Sequence, residues 1–259
     1  MELWNNISWK WQKNDKLKGK KMKAFLYGLF LQIKLDIRSK SLLVTCYIVP
    51  LIFFALMGGI FTSVMPEMKE TLIQAMIVMG VSMGAFIGLP PSLIETYSGD
   101  IKKMYQANGV PLYLGLVTMS ISSLVHLTIM SSIIVVLSPV LFDAELPKNL
   151  PLFYGALIIF IAVSLSLGSI LGLLVKNQAK LTMFAQLVFL PSIMLSGIMF
   201  PSELLPKFLD VLGKLFPATW GYNLMLSTDF QFKNLWYLIL IFVFAIIICC
   251  VLLNRKSKK

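Results

Sequence analysis

The sequence predicts an all-α membrane protein. It has six transmembrane helices, an interfacial helix before the first, a short helix in one cytoplasmic loop, and a broken, re-entrant outer segment before the last. Three observations lead there. Hydrophobic residues make up 58% of the 259 positions and charged residues 14%, against roughly 45–50% and 25% in soluble domains. Apolar runs long enough to cross a bilayer as helices recur along the chain. Of the 23 lysines and arginines, 18 fall on one side of those runs. Lipid offers the backbone no hydrogen bonds and period-two alternation is absent, so the runs are helices rather than barrel strands.

The spans fall at about 42–62, 71–90, 111–141, 152–174, 181–200 and 235–253. Residues 1–41 hold a basic arm and the interfacial helix, 42–253 the membrane domain, and 254–259 a basic tail. Residues 1–41 carry ten Lys or Arg, the 91–110 and 175–180 loops two each, and the tail four. The opposite side carries five bases against seven acids. The positive-inside rule then puts both termini in the cytoplasm. The net charge of +11 is therefore mostly a topology signal. A nucleic-acid partner is not expected, since no basic soluble domain exists to hold one. The start is no cleaved signal peptide: its basic region and apolar run are too long, and no A-x-A site follows. Cys46, Cys249 and Cys250 lack metal-site spacing and read as small apolar fillers.

Residues 1–20 are Lys-rich with Trp4, Trp9 and Trp11 interleaved, as in an arm that touches lipid headgroups. Over 22–38, Met22, Phe25, Leu26, Leu29, Phe30, Ile33 and Ile37 recur at helical spacing. Lys23, Lys34, Asp36 and Arg38 fall largely off that face. This reads as a helix lying in the cytoplasmic interface, or as a cytosolic helix packed on another subunit. Pro90 and Pro91 are expected to end the second span. The segment that follows, "PPSLIETYSGDIKKMYQANGVP", mixes Glu95, Asp100, Lys102 and Lys103 with Ile94, Tyr97, Ile101, Met104 and Tyr105. It suits a short helix that docks on a protein partner, against the alternative of a solvated linker. Asn108-Gly109 marks a turn before Pro111 opens the third span. That span is long enough that it must tilt or extend into an aqueous region, with Pro139 near its outer end.

The chemistry that is missing narrows the function. No G-x-x-x-x-G-K-[ST] loop exists, so the chain does not hold ATP in that manner. No Asp, Glu, Lys or Arg sits inside a span, which disfavours an ion-driven carrier. There is no nucleophile motif and one histidine, which disfavours an enzyme. That histidine, His126, shares a helix face with Ser122, among further hydroxyls at Ser120, Ser123, Thr128, Ser131 and Ser132. Such residues serve helix packing, or else line a transport path. Gln74 and Gln186 present the same choice.

The broken segment is "LSGIMFPSELLPKFLDVLGKLFPATWGYNLM". Glu203, Lys207, Asp210 and Lys214 line one helical stripe; Leu205, Phe208, Leu209, Leu212, Leu215 and Phe216 line the other. Ser202 is a candidate cap, Pro206 fits an early turn, and Gly213 and Pro217 end the helix. About a dozen residues make only ~18 Å, too short to cross. The segment lies partly embedded at the outer surface, or dips in and returns, with Trp220 and Tyr222 at headgroup depth.

These pieces together resemble the membrane permeases of type-2 ABC exporters, over nearly the whole chain. The family's Ser-Gly, Phe-Pro, Leu-Pro and Pro-aromatic signature is matched at Ser196-Gly197, Phe200-Pro201, Leu205-Pro206 and Pro217 to Trp220. "IETYSGDIKKMYQANGVP" resembles its coupling segment, with Glu95, Gly99, Lys102 and Pro111 in place, and "LGSILGLLVKNQAK" its span-four exit. The resemblance implies an elbow helix at the interface, a coupling helix, and an outer gate. Glu95, Gly99, Asp100, Lys102, Lys103 and Met104 would then couple to the ATPase. Ser196, Gly197, Pro201, Leu205, Pro206, Pro217 and Trp220 would form the gate, with Ser122 and His126 as path-lining candidates. It further implies two copies of a separate ATPase subunit that binds ATP and magnesium, and a second permease chain, identical or not. No cofactor would be bound by this chain itself. The implied location is a bacterial cell membrane, and the implied cargo a drug-like compound or peptide. Lipid or lipid-linked glycan is the alternative cargo, and a membrane scaffold or immunity-type protein the alternative role.

Overall fold

The computed structural model describes residues 23–257 apart from 24, 109, 200–204 and 230. The basic arm with its three tryptophans, Met22, Gly109, Phe200, Pro201, Ser202, Glu203 and the last two lysines lie outside the described residues, as does the side chain of Asp100.

Every regular element among the described residues is helical. In chain order these are α1 (25–38), α2 (Lys40–Val64), α3 (Leu72–Ser98), α4 (Asp100–Ala107) and α5 (Leu112–Phe142). There follow α6 (Leu150–Leu174), α7 (Gln178–Met194), α8 (Lys207–Gly213), α9 (Pro217–Leu226) and α10 (Phe232–Ser257). Five of them, α2, α3, α5, α6 and α10, are long and apolar enough to cross a membrane. The expected span at 181–200 is α7, which stops at Met194 after 17 residues. At ~1.5 Å per residue it measures about 26 Å, at the lower limit of span length. Pro191 removes a donor near its end, and the chain then leaves the helix toward Gly197, whose φ is +86°.

The core of the bundle is α3, 89% buried over its most apolar stretch; α2 and α10, at 22% and 17%, lie at the periphery. Small residues explain the centre. Gly80, Gly84 and Gly88 recur every fourth residue on α3 and admit Met130, Leu127 and Cys46 respectively. On α6, Gly168 rests on the backbone carbonyl of Ala85, and Gly172 on Leu93. Lipid gives no hydrophobic drive to helix association, so close approach of this kind supplies it through packing.

The second span does not end at Pro90 and Pro91. Helix α3 continues to Ser98, because a π-turn at Gly84–Gly88 precedes the prolines. Leu89 N–H bonds to the carbonyl of Gly84, five residues back. Neither proline has an N–H, so they fall where a shifted ladder can lose donors without breaking. Helix α2 repeats the device: a π-turn at Val44–Ile48, then Pro50. The two π-turns pack against each other, with Cys46 and Thr45 beside Gly88. Pro139 likewise lies inside α5, which runs on to Phe142 and stops at Asp143 in the left-handed region.

Helix α1 is amphipathic in a different sense from that expected. Asp36 faces the protein and is 6% exposed, while Leu26, Phe30, Leu31, Leu35 and Ile37 are exposed. The inward stripe runs through half-buried Phe25, Leu29, Gln32 and Ile33 to buried Asp36. An apolar outer face is what a membrane interface asks for, and it leaves the polar pair Gln32 and Asp36 to the bundle.

Candidate functional site

Two ends of the bundle carry the candidate residues. At the lysine-poor end, α7 gives way to a tight turn in which Ser196, 2% exposed, donates to the carbonyl of Ile193 at 2.7 Å. The chain returns as α8, whose N-cap is Pro206 and whose Gly213 lies on the carbonyl of Leu195. Asp210 and Lys214 pair at 2.6 Å, the observed part of the charged stripe. Phe208, Val211 and Leu215 face outward from the bundle.

Pro217 then opens a second helix instead of only closing the first. It occupies the first turn of α9, where its missing N–H costs nothing. Helix α9 packs against α6, α10 and α3. Trp220 and Tyr222 are therefore buried against protein, at 7% exposure each. Trp220 stacks on Tyr237 at 4.0 Å and donates from Nε1 to the carbonyl of Lys214 at 2.8 Å. Thr219 donates to the carbonyl of Gly213 at 2.7 Å. These two bonds satisfy the end of α8 and fix the angle between the short helices. Gly221 lets α9 meet the ring of Phe160. Burial holds the Tyr222 hydroxyl above its usual pKa, so it stays neutral.

Between the α8–α9 pair and the 64–71 turn lies a cavity of about 970 Å³. Ser196, Gly197 and Trp220 line it together with Tyr222, Asn223 and Thr71. Of the expected gate residues, then, these three meet on one cavity. Leu205 is half-buried, Pro206 exposed and Pro217 buried as helix caps and starts, and Pro201 lies outside the described residues.

At the lysine-rich end, α3 stops where Gly99 takes an extended conformation, and α4 follows. A Cβ at Gly99 would lie 2.8 Å from the carbonyl of Glu95. Tyr97 donates to the carbonyl of Leu112 at 2.5 Å, and Tyr97 and Tyr105 both reach Gly115 on α5. Lys256 lies over the Tyr97 ring at 5.8 Å. Helix α4 is thus seated on α5 and the end of α10. Glu95, Gly99, Ile101, Lys103 and Met104 remain exposed, with Lys102 half-buried. Among the described residues no three His, Cys, Asp or Glu groups come together as a metal site.

Ser122 and His126 are both buried against protein groups. Ser122 donates to Asp36 Oδ2 at 2.5 Å, and Gln32 donates to Oδ1 at 2.9 Å. His126 Nδ1 is 2.8 Å from the Tyr47 hydroxyl. Asp36 was not foreseen as a partner for the third span. Its spacing of four from Gln32 and three from Ile33 carried the signal.

A helical bundle with five helices long and apolar enough to cross a membrane, α4 at one end and the α8–α9 pair at the other, is the architecture of a multi-pass membrane protein. The family model described as ABC-2 type transporter matches residues 25–230. The chain belongs to that family, as a multi-pass permease subunit that is not itself the ATPase. Such permeases normally work with an ATP-binding subunit. No curated protein matches the chain.

Proposed function

We propose that this permease moves a hydrophobic or amphiphilic compound, drug-like or peptide, outward across the cell membrane, driven by ATP hydrolysed on a separate subunit. Helix α7 is the fifth of six spans, and the lysine-rich end, with both termini, faces the cytoplasm. Helix α1 is the elbow. Two permease chains and two ATPases make the working unit. Helix α4 docks on the ATPase through Glu95, Gly99, Asp100, Lys102, Lys103 and Met104, and the 196–222 segment gates the outer exit. Export of lipid or lipid-linked glycan by the same parts is the alternative cargo.

The observation that carries this reading is the continuity of α3. It is the most buried span, its lower end leads directly into α4, and it packs on α9. A displacement of α4 is therefore passed through one packed rod to the segment beside the cavity. Two experiments test it. Purification from native membranes in mild detergent should bring down an ATPase with the phosphate loop that this chain lacks. In proteoliposomes of that complex, Gly99→Val should lower transport per ATP at least severalfold while the chain still inserts. A chain that purifies alone and hydrolyses nothing, from a complex shown to survive the detergent, would return the scaffold reading. Normal coupling in Gly99→Val would remove the role given to α4.

A further inference from the structure

Helices α5 and α10 both pack on α6 and leave a lateral slot between them, about 230 Å³ in volume. Its floor is a stripe of small residues on α6, Ala162, Ser166 and Ser169. Its rim is apolar and turned outward: Val117 on α5, with Phe242 and Ile246 on α10, are each more than a third exposed. The floor makes no polar demand. Ser166 and Ser169 donate to the carbonyls of Val163 and Leu165, at 2.7 Å each, and Cys249 Sγ donates to the carbonyl of Ser166 at 3.7 Å. On α10 the lining runs from Phe242 to Cys249, about 10 Å of helix. The slot therefore suits an apolar chain lying along the helices.

Its lysine-rich end meets a cluster of cations. Lys256 is seven residues beyond Cys249 on α10, about two turns along the same face. Lys176 is likewise seven residues beyond Ser169, just past the end of α6. Lys256 lies over the Tyr97 ring at 5.8 Å, and Tyr97 donates to the carbonyl of Leu112, one turn before Leu116 in the slot wall. The ammonium is thereby held near the mouth of the slot. Lys102 on α4 and Lys176 both stand close enough to Lys256 to repel it. Among the described residues none of the three forms an ion pair. Like charges gathered without an acid favour an anion between them. An acidic patch on another protein would neutralise the lysines but leave the slot empty, since Cys249 lies about 10 Å further into the span than Lys256. A free anion would leave it empty too. A lipid with a negative headgroup fills both parts at once.

We propose that this face binds one anionic phospholipid of the leaflet at the lysine-rich end. Its phosphate group lies among Lys102, Lys176 and Lys256, and one acyl chain lies in the slot over Ala162, Ser166 and Ser169. The proposal needs only that α5, α6 and α10 cross the membrane. It stands apart from cargo, coupling and export direction.

The test is native mass spectrometry of the full-length chain in mild detergent, titrated with phosphatidylglycerol or phosphatidylcholine of identical acyl chains. Phosphatidylglycerol should bind saturably, one molecule per chain, and at least about fivefold more tightly than phosphatidylcholine. Lys176→Gln and Lys256→Gln should each weaken it about fivefold. Lys233→Gln, at the opposite end, should leave it unchanged. Ser120→Phe places a ring in the slot and should also weaken binding; the lysine variants keep the test open if that chain misfolds. Glycerophosphoglycerol, the same headgroup without acyl chains, should not compete. Equal retention of the two lipids, or undiminished binding in the lysine variants or in folded Ser120→Phe, would overturn the proposal. So would competition by the chain-free headgroup. If the lysine variants keep the lipid and instead lose a copurifying ATPase, the cluster faces a protein and the proposal is equally overturned.

Discussion

Asp36 illustrates how single residues set this structure. A carboxylate on α1 is held by two donors, from Gln32 on its own helix and Ser122 on α5. Ser122→Ala removes the interhelical donor and leaves one carboxylate oxygen buried without it. The expected cost is about 1–3 kcal/mol, read as a fall in the thermal unfolding midpoint in detergent; an unchanged midpoint would mean the bond contributes nothing. Gly168 sets the distance between α3 and α6 with even less latitude, because its neighbour is backbone. Gly168→Val should lower stability by about 1–3 kcal/mol or more. Gly155→Val is the control, since nothing lies within 4 Å of its Cβ position. Asp36 was hidden in the sequence because charge near an interface reads as solvent-facing. Only its register with Phe25, Leu29 and Ile33 pointed inward.

Elements were legible to different degrees. The long apolar runs translated almost directly into α2, α5, α6 and α10, because a lipid environment leaves a span little choice but helix. Proline was the poor guide. Pro90 and Pro91 read as a stop, yet a π-turn carries α3 past them; Pro217 read as a stop and is also the start of α9. Proline's lost donor ends a helix only where the ladder cannot shift or where no new helix begins. The paired π-turns can be tested directly. A Cβ at position 88 would lie 3.1 Å from Cys46 Sγ, close enough for an S–S bond of ~2.05 Å. Gly88→Cys should therefore cross-link to Cys46 under a membrane-permeant oxidant, detected as a disulfide-linked peptide pair by mass spectrometry. Failure to cross-link, with both thiols shown to be reactive in the unfolded chain, would mean α2 and α3 do not meet there.

At the scale of the whole molecule, the account has two working ends joined by one buried helix. The 195–226 segment was legible in outline: the break after α7, the Asp210–Lys214 pair and a short helix ending near Gly213 could be read from spacing. That Ser196, Gly197 and Trp220 share a cavity could not, because it depends on α9 folding back between α3, α6 and α10. Helix α4 was more legible, since the stretch between Pro91 and Pro111 mixes apolar Ile101 and Met104 with lysines at helical spacing, and both stay exposed on it. The central claim is that this surface meets an ATPase, and it can be measured at one position. Met104 is 62% exposed on α4. A photoreactive amino acid placed there, activated in native membranes, should form an adduct with a chain carrying a phosphate loop. The same group at Phe208, at the opposite end, should not. Adducts with lipid alone at position 104, or the same partner at both positions, would contradict the account.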